Sequence, residues 1–84
     1  MDVSSEYRRA VFSLTLHIAD VDDFCAEAQR LFSVTLIDDI GNEINGKNMV
    51  AIKKILINSD DFCCFAVDSD EDTVYRFASR WRGR

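Results

Sequence analysis

The chemistry open to this 84-residue chain narrows to one imidazole, that of His17, and three thiols, those of Cys25, Cys63 and Cys64. No second histidine and no Cys-x-x-Cys pair accompanies them, so a tetrahedral zinc set is not expected. Cys63 and Cys64 are adjacent in a strand-like run and should point to opposite faces, and Cys25 falls on a helix-like stripe. All three read as reduced thiols packed in a core. The spacing Asp68-x-Asp70-x-Asp72 echoes a calcium loop. It lacks the glycine after the third acid, and Ser79 stands where the bidentate glutamate belongs. These acids read as helix-capping groups instead. There is no phosphate-cradling glycine loop, no catalytic triad and no paired-carboxylate arrangement. No cofactor and no metal is expected, and any chemistry must come from His17.

The elements that would position His17 follow from hydrophobic periodicity. Residues 11–18 alternate, with Phe12, Leu14, Leu16 and Ile18 on one face and Ser13, Thr15 and His17 on the other, which describes a half-buried strand. Asp20 reads as an N-cap, and Asp22 and Asp23 occupy a first turn where the helix dipole favours carboxylates. Val21, Phe24, Cys25, Ala28, Leu31 and Phe32 then recur at helical spacing. Residues 34–37 read as a second strand, residues 38–42 as a turn, and Glu43-Ile44 as the return of a hairpin. Asn48 is placed to cap a short helix burying Met49, Ile52, Ile55 and Leu56. Residues 58–61 break it, and residues 62–67 form an apolar run of strand length. Ser69 or Asp70 can cap a last helix with the stripe Val74, Phe77, Ala78 and Trp81. The order β-α-β-β-α-β-α predicts an α+β open-faced sandwich, a four-stranded, mostly antiparallel sheet with three helices on one face.

Size and composition bound the rest. A chain this short supports one core, so residues 1–84 are expected to form a single domain, with residues 1–9 flexible. A hydrophobic fraction of 48% argues against disorder. No apolar run approaches a bilayer span and the first residues do not form a signal peptide, so a cytoplasmic protein without membrane insertion is expected. The formal net charge of −5 disfavours nucleic acid as a partner. The arginines at 76, 80, 82 and 84 suit the C-terminus of a helix.

One stretch adds to this reading. Asn45-Gly46-Lys47-Asn48-Met49-Val50-Ala51-Ile52-Lys53-Lys54-Ile55-Leu56, followed by a strand and then Asp68-Ser69-Asp70-Glu71-Asp72-Thr73-Val74, resembles the HPr family. These are the histidine-containing phosphocarriers of the bacterial sugar phosphotransferase system. The resemblance runs from about residue 34 to residue 77. Phe24-Cys25-Ala26-Glu27-Ala28 is similar to the family's first helix, and counting back from Phe24 puts His17 where the family carries its phosphorylated histidine.

The resemblance implies a phosphocarrier, or a divergent paralogue of one, that works through protein–protein contacts. Its partners would be phosphotransferase-system proteins or a regulator, and it would be at most a phosphoryl carrier rather than an enzyme. In that case His17 is the phosphoryl acceptor, and Lys47, Asn48, Met49 and Val50 belong to the docking surface. The sequence departs from the family in three places, one being that the first strand runs into His17 with too few residues for the family's usual loop. Ala19 and Asp20 stand where the family has an arginine and a proline. Asn48 stands where many members carry a regulatory serine. Phosphoryl transfer needs positive potential around the phosphoryl oxygens, so Arg8, Arg9 or Lys47 would have to replace the missing arginine. The alternative is a binding module that keeps this fold without the chemistry.

Overall fold

A computed structural model of the protein describes residues 7–84. In chain order the elements are β1 (Arg8–Thr15), a 3₁₀ turn (Ile18–Asp20), α1 (Val21–Ala28), β2 (Ser33–Ile37), β3 (Glu43–Asn45), α2 (Met49–Ile55), β4 (Asp61–Asp68) and α3 (Glu71–Trp81). The strands form one sheet in the order β1-β4-β2-β3, and every neighbouring pair is antiparallel. It follows that β1 runs parallel to β2 with β4 inserted between them, and β3 runs parallel to β4 with β2 between. Helices α1 and α2 are the two crossovers, and both lie on the same face. After β4, α3 returns across β1 and β4. The architecture is the α+β open-faced sandwich expected from the element order.

Alternation assigns the two faces of the sheet. Phe12 and Leu14 of β1, Val34 and Leu36 of β2, Ile44 of β3, and Phe62, Cys64 and Ala66 of β4 all point under the helices and are buried. The helices answer with Val21, Phe24, Cys25 and Ala28, with Ile52, and with Val74, Phe77, Ala78 and Trp81. Phe24 is central, its ring 5.3 Å from that of Phe77 and 5.1 Å from that of Trp81. Among the described residues no helix lies on the opposite face of the sheet. No helix among the described residues is long and apolar enough to cross a membrane.

Three local expectations are corrected. The first strand covers Arg8–Thr15, not residues 11–18. Its last pairing is Thr15 with Asp61, the first residue of β4, so beyond it there is no strand left to pair with. The chain turns away there, and Ile18 is 61% exposed instead of lying on the core face. Asp20 does not cap α1 with its side chain. The 3₁₀ turn does that work, because the Val21 N–H donates to the Ile18 carbonyl. Phe32 is not part of the first helix's buried stripe. α1 ends at Ala28, Leu31 fills the core, and Phe32 turns outward against Tyr7, with ring centroids 4.9 Å apart.

The other two caps form as expected. Asn48 accepts from the Ala51 N–H at 3.1 Å, and Asp70 accepts from the Asp72 N–H at 3.2 Å. Of the terminal segment expected to be flexible, residues 1–6 lie outside the described residues, while Arg8 and Arg9 pair with Asp68 and Val67.

Candidate functional site

His17 is exposed and sits at the hinge between sheet and helix, immediately before the 3₁₀ turn, with extended backbone (φ −95°, ψ 152°). Its carbonyl accepts from the Asp20 N–H at 2.9 Å, which starts the turn. The first N–H groups of a helical segment have no partner within it, so Ile18 and Ala19 open the segment with their amides on the His17 side. The imidazole is thus a terminal group beside a helix start, not a strand residue in the middle of a polar face.

Lys47, Asn48, Met49 and Val50 form the entry to α2. The Lys47 ammonium donates to the carbonyls of Leu31 and Phe32, the latter at 3.2 Å, and so caps the chain just past the C-terminal end of α1. The Lys47 carbonyl in turn accepts from the Gln29 side chain at 3.0 Å. Met49 is 36% exposed and Val50 is 66% exposed. This cluster lies at one end of α1 and His17 lies at the other, with the helix's eight residues, about 12 Å, between them. The structure does not bring the histidine and the α2 entry into one constellation.

What it does gather on α1, the helix that follows His17 and its 3₁₀ turn, is a set of charges from three helices. Asp22 pairs with Lys53 of α2 at 3.5 Å, and Asp23 lies 3.9 Å from Arg80 of α3. Arg80 also pairs with Glu27 and lies over the Trp81 ring, 5.1 Å from its centroid. The acidic first turn of α1 is therefore counterbalanced by two cations that arrive through packing. Sequence reasoning missed Lys53 and Arg80 because they are about 30 and 57 positions away from these acids, on different helices; nothing in the local pattern marks them.

The three cations considered as replacements for the family's arginine lie elsewhere. Arg8 pairs with Glu71 at 3.3 Å. Arg8 and Arg9 begin β1 while His17 follows its end, a separation of about 25 Å along an extended strand. Lys47 is held at the far end of α1.

Two thiols are sealed in the core. Burial pushes the Cys64 thiol up to about 12, and burial followed by the Asp22 carboxylate raises Cys25. Asp38 is a buried carboxylate in the β2–β3 turn. Burial alone would raise its pKa. The Asn42 main-chain and side-chain amides and the amides of Ile40 and Gly41 outweigh that and hold it below the ordinary value. A cleft of about 410 Å³ on the uncovered sheet face is lined by Ser13, Thr15, Asp39, Asp61, Cys63 and Arg84 among others, and His17 does not contribute to it. Among the described residues no three His, Cys, Asp or Glu side chains converge as metal ligands.

No protein-family model matches the sequence, and none of the curated proteins matches it either. The structure does have a solved counterpart, the phosphocarrier protein HPr from Bacillus anthracis str. Ames. It superposes with a TM-score of 0.64 over 90% of this chain and 98% of that chain, at 16% sequence identity. The chain has an HPr-like fold.

Proposed function

We propose that this protein is an HPr-like phosphocarrier, or a divergent paralogue of one, that works through protein–protein contacts with His17 as the phosphoryl acceptor. The observation that carries the reading is that the chain's only histidine is exposed at the start of the first helical segment of an HPr-like fold. In transfer, a ring nitrogen of His17 attacks the phosphorus of a donor's phosphohistidine. The new P–N bond forms as the donor's breaks, and the donor imidazole leaves. The 3₁₀-turn amides offer partial positive charge to the phosphoryl oxygens. Lys53 and Arg80 offset the carboxylates of Asp22 and Asp23. Met49 and Val50, exposed at the α2 entry that Lys47 and Asn48 shape, supply the apolar part of the docking surface. A partner touching both them and His17 spans the α1–α2 layer.

The test is incubation with phosphoenolpyruvate and the first enzyme of a phosphotransferase system. An acid-labile mass gain of one phosphoryl group is expected, and it is absent in His17→Ala. Asp22→Asn with Asp23→Asn speeds the transfer, most clearly at low salt, by removing negative charge near the phosphoryl group. Absence of label on the wild-type protein overturns the carrier reading.

The second reading, a binding module without the chemistry, is favoured by one observation. Ala19 and Asp20 follow His17, and Arg8, Arg9 and Lys47 are positioned elsewhere. Under it, Met49→Ser and Val50→Asp abolish partner capture while His17→Ala leaves it intact.

A further inference from the structure

β1 is an edge strand of eight residues, and among the described residues only part of its outer edge is covered. The Gly83 N–H donates to the Ser13 carbonyl at 3.0 Å, and the Thr15 N–H donates to the Arg84 main-chain oxygen at 2.5 Å. Arg84 is pinned in that position by its Nε bond to the Arg80 carbonyl, 2.9 Å, and by the Trp81 ring, 5.0 Å from its guanidinium carbon. In an antiparallel strand each residue directs its N–H and C=O to the same side, alternating along the chain. Since Ser13 and Thr15 point theirs outward, so do Val11 and Arg9, and nothing among the described residues covers those two. Edge strands left in this state are templates for a further strand.

Beside this open stretch runs a groove of about 250 Å³ whose walls include Val11, Tyr75, Ala78, Ser79 and Arg82. Val11 and Tyr75 are 52% and 53% exposed. The carboxylates of the first turn of α3 are already spent, Glu71 on Arg8 and Asp72 on Arg76 at 3.1 Å. Arg9 and Arg82 are not ion-paired among the described residues. The edge is thus locally cationic in a chain of formal net charge −5. A second copy fits poorly, because its own Arg9 and Arg82 would meet this pair and its own terminal residues would occupy positions 13–15 of its β1.

We propose that the free edge of β1 accepts an extended acidic segment of a partner protein as a fifth strand. The main-chain groups of Arg9 and Val11 hold its backbone, Tyr75 takes an apolar side chain on the helix side of the edge, Val11 packs against the strand on the opposite face, and Arg9 and Arg82 pair with its carboxylates. None of these residues takes part in the His17 reading, so the two stand or fall separately.

The test is an NMR titration of the full chain with an acetylated peptide of alternating Glu and Val. Shifts confined to Arg9, Val11, Tyr75, Ser79 and Arg82 are expected, with slowed exchange of the Val11 amide and binding that weakens as salt is raised. Val11→Pro removes an outward N–H without touching the β1–β4 ladder and should weaken binding by roughly tenfold or more. If that variant does not fold, Arg9→Glu with Arg82→Glu is read for the same loss. The proposal is overturned if the peptide causes no shifts at these residues, if a Lys/Val peptide binds equally, or if binding survives the substitutions. It is also overturned if the wild-type protein sediments as a dimer that the substitutions dissociate.

Discussion

Alternation along β4 turns the Cys64 thiol into the core while its neighbour Cys63 faces the uncovered side of the sheet. Burial holds the folded Cys64 at about 12, above the unfolded thiol, so the neutral form is favoured in the folded state. This contribution to stability is complete below the unfolded pKa and is lost as pH rises toward the folded one. Between about pH 8 and about pH 10.5 the wild-type protein should lose about 2 kcal/mol more than Cys64→Ala, as read by urea melts at each pH. A parallel pH dependence in the two proteins would place Cys64 in contact with water. At this scale the sequence was informative where a side chain bonds its own neighbourhood. Asn48 and Asp70 reach amides two or three residues on, and that geometry follows from residue type and position. Asp20 has the same residue type but a different backbone, because the strand before it ends early.

Among elements, the approach of the β3–α2 connection to β2 depends on Gly46. Its N–H donates to the Val34 carbonyl at 2.7 Å. A Cβ added there would overlap Val34 Cγ1 and come within 2.9 Å of Val34 Cβ, and Val34 is buried. Gly46→Ala should therefore destabilise the protein by about 1–3 kcal/mol, the usual range for overpacking a filled core. An unchanged urea midpoint would mean that β2 and the α2 entry can separate without cost. The Gly46-Lys47 pair stood out in the sequence as the opening of a helix. Why it must be glycine is a fact about β2, a dozen residues earlier, and no local pattern contains it. Lys47 is similar: it reads as a surface cation until α1 and α2 are packed, and then its ammonium holds the Leu31 and Phe32 carbonyls between α1 and β2.

On the scale of the molecule, α1 and α3 meet β1 in one layer of aromatic contacts. Phe77 sits between Phe12, 6.2 Å away, and Phe24, 5.3 Å away, and is 3% exposed. Phe77→Ala should cost about 3–5 kcal/mol in a urea melt with little change of slope. A loss below about 1 kcal/mol would mean the helix layer can repack around the gap. The periodicities of 2 and 3.6 were enough to determine the elements, their order and the core faces of the sheet and of α3. They are short-range consequences of which side chains must leave water. Tertiary structure alone decided that β4 inserts between β1 and β2, and that β1 stops at Thr15 because β4 starts at Asp61. It also decided that Lys53 and Arg80 meet the acids in the first turn of α1, and that, among the described residues, Gly83 and Arg84 cover one end of β1 while leaving the other open. Each of these joins residues far apart in the chain. Their pairing is set by the register of whole strands and the packing of whole helices, so no window of sequence carries it.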